Sequence, residues 1–291
     1  MSISKAELIP ADWQRWASTQ PTIVKPLLGG LTNKSYLIRA NNELLVLRKN
    51  SPISEALNLN RSAEAQALAH ADQAGLCAPL VYYDPQQNYM VSRYLSDTTW
   101  SVNSDASLAR LAQLLRRIHQ LPSISTALNI DDKMTYYWQA IDTHLEFAKE
   151  LQSLNAAIHA HIESAKALNK GYVLCHNDLL SSNLIAGADD RLYAIDWEYA
   201  AMCDPFYELA VIIEGNGLNS EQQQTLLTRY LAKSNTPPDW QRLHHWQIIY
   251  RYLCLLWYGV QYSTGAMSQS NMSGEMRKQI LALKALIAKD N

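Results

Sequence analysis

A chain of 291 residues with 48% apolar and 18% charged side chains has the composition of a globular protein and is too hydrophobic for a disordered one. Its 25 basic and 27 acidic side chains leave a formal charge of -2, which offers the phosphate backbone of a nucleic acid no broad attraction, so no nucleic-acid partner is expected. Cys77, Cys175, Cys203 and Cys254 contain no C-x-x-C pair, which argues against a zinc site and a disulfide framework and for a reducing, cytoplasmic setting.

Residues 1–13 carry acidic side chains and Pro10 instead of a basic end and an apolar run, so no signal peptide is expected. Two apolar runs, 36–39 and 44–48, flank Ala40-Asn41-Asn42-Glu43, a polar break of hairpin length whose asparagines tolerate positive φ. They predict a β-hairpin. Good helix formers over 55–74, stopped by Gly75, predict a helix. Two β-favouring runs, 81–84 and 88–94, follow on either side of Pro85-Gln86-Gln87. Residues 1–95 therefore read as a small α+β unit, with a hinge near 92–97.

Beyond it, Leu108, Leu111, Leu114, Leu115 and Ile118 recur at helical spacing over 107–120, and Pro122 closes the pattern. A helical stretch over 135–168 is expected to break once near Leu154-Asn155. Short apolar runs at 172–175 and 192–195 are each followed by acidic residues. Helices return from Glu208 to the C-terminus, with breaks at 215–219 and 234–238. The apolar stretch 250–262 contains Arg251 and falls far short of the roughly 20 residues that span a bilayer, so no membrane insertion is expected.

The chemistry concentrates after the two short runs. His176-Asn177-Asp178-Leu179-Leu180-Ser181-Ser182-Asn183 has the pattern H-x-D-x-x-x-x-N of a kinase catalytic loop. The carboxylate of Asp178 can take the proton of an attacking hydroxyl, and the amide oxygen of Asn183 can turn back toward a magnesium ion. Ile195-Asp196-Trp197 then ends the second run with a carboxylate placed to bridge Mg2+ to the phosphates of ATP. Phosphoryl transfer also needs positive charge beside those phosphates. Successive strand side chains point to opposite faces, so only one of Arg48 and Lys49 can serve, and Arg48 is chosen. Glu64 on the following helix is its expected ion-pair partner, with Glu55 in reserve; Arg61 is also placed to pair with Glu64.

These residues resemble the choline/ethanolamine kinase and aminoglycoside phosphotransferase superfamily. The motifs that carry the resemblance are Gly29-Gly30-Leu31-Thr32-Asn33-Lys34-Ser35-Tyr36, Val46-Leu47-Arg48, Leu174-Cys175-His176-Asn177-Asp178-Leu179, and Ile195-Asp196-Trp197-Glu198-Tyr199 followed by Asp204-Pro205 and Glu208-Leu209-Ala210. The Asp-Trp-Glu-Tyr segment is closer to bacterial choline-kinase-like and thiamine-kinase-like members than to antibiotic kinases, which commonly place Gly after the Asp-Trp pair. The resemblance implies a bilobal, protein-kinase-like α+β fold. Residues 1–95 would form the nucleotide-binding lobe, a small antiparallel sheet plus a helix, and 96–291 the larger, mostly helical catalytic and acceptor-binding lobe. It implies Asp178 as the catalytic base, His176 as the residue ordering its loop, Asn183 and Asp196 as magnesium ligands, Arg48 on the phosphates, and residues 92–95 beside the adenine. Thr32, Asn33 and Lys34 would donate to the phosphates in place of a G-x-G-x-x-G loop.

Trp246, Tyr250 and Trp257 share one helical face near the C-terminus, a wall that suits a cationic substrate. By resemblance Tyr199, Glu214 and Trp257 would line a choline pocket. His119 reads as a hydrogen-bonded packing histidine and His244-His245 as surface or helix-end polarity. The expected activity is an ATP-dependent, magnesium-requiring kinase of a small, cationic alcohol, choline or ethanolamine or thiamine. An aminoglycoside or other sugar-alcohol phosphotransferase and a non-catalytic nucleotide-binding scaffold are the alternatives.

Overall fold

The computed structural model describes residues 8–27, 32–51, 56–95, 98–102, 104–187, 189–232, 239–267 and 272–288. Strands β1 (Thr22–Leu27), β2 (Lys34–Ala40) and β3 (Glu43–Lys49) come first. Asn41 and Asn42, at φ 52° and 62°, make the two-residue turn between β2 and β3, the conformation that matches the strands' own twist. The Asn41 carboxamide oxygen also accepts from the amides of Ser18 and Thr19, at 2.9 and 3.2 Å, and pins the preceding segment to this turn.

Helix α1 (Arg61–Gln73) starts where Asn60 caps it by accepting from the Ala63 amide, so the predicted helix is shortened at its front. Glu55 lies outside the described residues. Gly75 ends the helix at φ 63°. Strands β4 (Leu80–Tyr83) and β5 (Tyr89–Arg93) complete an antiparallel sheet in the order β1-β2-β3-β5-β4. Leu45 and Leu47 of β3 pack with Ile38, Tyr89, Val91 and Trp16 on one face. Alternation turns Val46 and Arg48 to the other face, where they line a cleft.

The chain continues through β6 (Thr98–Thr99), α2 (Asp105–Ile118), α3 (Ile130–Ala140), α4 (Ala148–Ser153), α5 (Asn155–Ala167), β7 (Val173–Cys175), β8 (Leu184–Ala186), β9 (Leu192–Ala194) and β10 (Ala201–Cys203). It ends in α6 (Pro205–Gly215), α7 (Ser220–Leu231), α8 (Trp240–Ser263) and α9 (Met272–Ile287). Strands β6, β8 and β9 form one small sheet, β7 and β10 another. The large core gathers Leu115, Ile158, Ile212 and Ile249 from four of these helices, and Ala67 and Leu68 of α1 belong to it too. No described helix is long and apolar enough to cross a membrane.

Three expectations are corrected. The stretch 135–168 breaks twice rather than once. Asn129 caps α3, whose first residue lies five before that stretch begins, and residues 141–147 form a turn in which Asp142 accepts from the His144 amide at 2.9 Å. A further break follows α8, where Gly265 takes φ 72°. His244 and His245 are half-buried against His161, with ring centroids 6.4 and 5.1 Å away, rather than surface polarity.

A buried ion pair fastens the helical part. Asp204 caps α6 through the Phe206 amide and takes two bonds from Arg242 of α8, at 2.6 and 3.0 Å, while Asn169 donates a third at 2.8 Å. Both charges are buried, so removing one leaves the other unmatched. Arg242→Ala is expected to lower unfolding stability by about 3–5 kcal/mol in urea titrations. A loss below about 1 kcal/mol would contradict this role of the pair.

Candidate active site

Strand β7 delivers His176, Asn177 and Asp178 to the floor of the cleft. One carboxylate oxygen of Glu208, on α6, accepts from the backbone amides of His176 and Asn177, both at 2.8 Å. Its other oxygen meets His119 Nε2 at 2.7 Å, and His119 Nδ1 meets the Tyr230 hydroxyl at 2.8 Å. His119 is thus the hydrogen-bonded packing histidine its helix suggested. Asn177 is held at φ 65°, a strained position for a residue with a side chain, which the two amide bonds and the Asn177-to-Tyr199 carbonyl bond stabilise.

His176 joins the loop to the neighbouring strand. Its Nδ1 accepts from the Asp178 amide at 3.2 Å, and its Nε2 donates to the Ile195 carbonyl at 3.1 Å. That pattern needs a neutral ring protonated on Nε2, and burial pushes its pKa down in agreement. The Asn183 amide nitrogen donates to both the carbonyl and the carboxylate of Asp178, at 2.9 and 2.7 Å. The Asp178 pKa is raised well above the ordinary range, first by burial and then by the charges of Asp196 and Glu198, with the Asn183 bond opposing.

Above the loop lies a network of charge. Arg48 of β3 reaches Glu64 of α1 at 2.5 Å and Asp196 at 2.8 Å. Lys49 turns to the other face and pairs in register with Lys34. Glu64 also takes Arg61 at 2.8 Å, and Arg61 continues to Glu198 at 3.0 Å. Asn33 donates to the same Glu198 oxygen at 2.7 Å and accepts from Arg61 at 3.0 Å. Burial would lower the Arg48 pKa, but Glu64, Asp196 and Glu198 outweigh it and hold the guanidinium charged. Glu198 is pushed up to about 7 by burial and by Asp196, against the pull of Arg48 and Arg61.

The cleft itself has a volume of about 530 Å³. It brings together Thr32, Arg48, Glu64, Asp178, Asn183, Asp196, Tyr199 and Trp257 of the residues expected from sequence, and residues 92–95 of the expected hinge. Ser96, Asp97 and Gly29-Gly30-Leu31 lie outside the described residues. Asn33 stands behind Glu198, and His176 stands behind the loop. Of the expected residues, Asn33, His176, Lys34 and Glu214 do not line the cleft. Lys34 is exposed at the start of β2, and Glu214 is tied away to Arg251 at 2.5 Å and Gln247 at 2.6 Å. Trp246 of the aromatic face is buried against Tyr207, with ring centroids 5.4 Å apart, and only Tyr250 and Trp257 of that face line the cleft.

Sequence reasoning passed over Lys133 and Tyr137, which also line the cleft, and gave Glu198 no role. Lys133 and Tyr137, four apart on α3, carried the one available signal: a charge on an otherwise buried helical face.

The donors suit a hard divalent cation. Asp196 offers a carboxylate, 29% exposed, and both bonds of the Asn183 side chain use its nitrogen, leaving its amide oxygen for a ligand. Oxygen-only donors of this kind match magnesium. Asp196 sits at φ 63°, a second strained non-glycine position at the same spot.

A family model described as the phosphotransferase enzyme family matches residues 23–246. The protein LicA of Haemophilus influenzae is 29% identical over 215 residues, 72% of this chain, which spans 62% of that relative's length. The thiamine kinase of Shigella boydii is 27% identical over 224 residues, 75% of each chain. The crystal structure of the choline kinase LicA from Streptococcus pneumoniae superposes with a TM-score of 0.80 at 22% identity, covering 94% of this chain and 96% of that one. The architecture is thus the bilobal, protein-kinase-like α+β fold of such kinases.

The anchoring of the loop by Glu208 can be read by hydrogen exchange. Hydrogen bonds to a charged group are worth about 1.5–3 kcal/mol, so the His176 and Asn177 amides are expected to exchange about tenfold faster or more in Glu208→Ala. Unchanged exchange at both amides would contradict the anchoring.

Proposed function

This chain belongs to the phosphotransferase enzyme family, and on that premise we propose that it is an ATP-dependent kinase transferring the γ-phosphoryl group to the hydroxyl of a small, cationic alcohol, with choline, ethanolamine and thiamine as the acceptors to be tried first. The observation that carries this reading is the arrangement of Asp178, Asn183, Asp196 and Arg48 on one cleft, with Tyr199, Tyr250, Trp257 and Tyr258 lining it too.

In this reading the nucleotide enters between the sheet and the loop, with its base beside residues 92–95 and its phosphates near Arg48. Glu64 sets the direction of the guanidinium, and Arg61 sets Glu64. Asn183 and Asp196 would hold a magnesium ion, whose charge offsets that of the phosphates. Asp178 accepts the proton of the acceptor hydroxyl, and the Asn183 amide fixes which of its oxygens is free to do so. Its raised basicity suits that task, since positive charge brought into the cleft favours the ionised form. Little else is asked of the protein, because phosphoryl transfer depends chiefly on positioning and electrostatics.

The acceptor's character is read from the wall. Tyr199, Tyr250, Trp257 and Tyr258 present rings to the cleft, and the Trp257 indole donates to the Tyr199 hydroxyl at 2.9 Å, which fixes both. The faces of Tyr250, Trp257 and Tyr258 attract a cation, and the carboxylates of Asp178 and Glu198, in place of Glu214, add negative charge.

Two measurements test the reading. Asp178→Ala is expected to lower kcat about 100- to 10,000-fold while nucleotide still binds, as followed by coupled ADP release and nucleotide titration. Full turnover by that variant would overturn the assignment of the base. A panel of choline, ethanolamine, thiamine and aminoglycosides is expected to give magnesium-dependent ADP release with one of the first three, and turnover of aminoglycosides alone would overturn the proposed acceptor class.

A further inference from the structure

The aromatic end of the cleft already holds a positive charge. Lys133 of α3 is buried, with its Nζ 5.0 Å from the Tyr199 ring centroid and 5.4 Å from the Tyr137 centroid. It donates to the Leu57 carbonyl at 3.3 Å. An ammonium has three protons to place, and between this carbonyl and the two ring faces Lys133 takes the contacts that a bound cation would otherwise find there. All three residues line the cleft with Asp178 and Trp257. Burial presses the lysine pKa down to about 8, while Glu198 pulls the other way, so the ammonium is retained near neutral pH.

We propose that Lys133 is a specificity-determining residue of the acceptor site, whose ammonium occupies the cation seat between Tyr137 and Tyr199 and so weakens the preference for a cationic alcohol over its uncharged isostere. The inference rests on the reading of this cleft as the acceptor site of an alcohol kinase. A substrate cation entering the wall is left the faces of Tyr250, Trp257 and Tyr258 and meets a like charge lining the same cleft. An uncharged group of the same shape gains the ring contacts without that repulsion. Tyr199 therefore serves the substrate less through its face than through the indole it holds in place.

The test compares kcat/KM for choline and for its tert-butyl analogue, in which carbon replaces the charged nitrogen, in the wild type, Lys133→Met and Lys133→Arg. Methionine has similar length and removes the charge, whereas arginine keeps it. The choline-to-analogue ratio is expected to rise about tenfold or more in Lys133→Met, through a lower KM for choline, and to stay near the wild-type value in Lys133→Arg. A ratio that does not rise in Lys133→Met overturns the proposal. If the wild type turns over no cationic alcohol, the reading of its substrate class fails, and choline binding followed by tryptophan fluorescence then decides the inference. Tighter binding in Lys133→Met than in the wild type supports it, and equal affinity or no binding in both overturns it.

Discussion

Buried negative charge has to be matched, and beside the cleft two arginines match it. Glu64 and Glu198 are almost wholly buried, Asp196 stands beside them, and Arg48 and Arg61 tie the three into one network. Removing either arginine would leave carboxylates uncompensated in a poorly solvated space. The elements that supply these charges are therefore held in mutual register: β3 brings Arg48, α1 brings Arg61 and Glu64, and the segment after β9 brings Asp196 and Glu198. The alternation of β3 is what makes this possible, since Leu47 packs into the sheet's own core while its neighbour Arg48 faces the cleft.

The loop that carries Asp178 is positioned by a second, separate set of bonds. Glu208 captures two successive amides, and His176 spans from the loop to the Ile195 carbonyl. The two strained residues of the site, Asn177 and Asp196, lie at either end of this bridge. Both are types whose short polar side chains tolerate the left-handed conformation. The strain is thus stored beside the carboxylates of Asp178 and Asp196, both of which line the cleft.

Much of this is legible in the sequence. The hairpin was visible because an Asn-Asn turn between apolar runs admits few other conformations, and the loop was visible because its residue types recur at a spacing set by chemistry. What escaped notice depends on tertiary packing. Strand β1 carries few buried positions and includes Pro26, so it has little hydrophobic signature of its own. The turn at 141–147 is capped by an aspartate that looks like any other polar residue in a helical stretch. Glu214 was placed in the pocket by resemblance alone, and in the fold it turns to Arg251. Glu198 and Lys133 are ordinary charged residues in the sequence; only the fold shows that water is excluded from both.

The account requires Asp196 and the Asn183 amide oxygen to meet around one divalent ion, with Asp178 and Arg48 beside it. The most direct measurement is a crystal structure of the chain with magnesium and a non-hydrolysable ATP analogue. The account predicts the ion bonded to Asp196 and Asn183, the phosphates against Arg48, and Asp178 left free toward the aromatic wall. An analogue bound elsewhere, or an ion that neither Asp196 nor Asn183 touches, would contradict it.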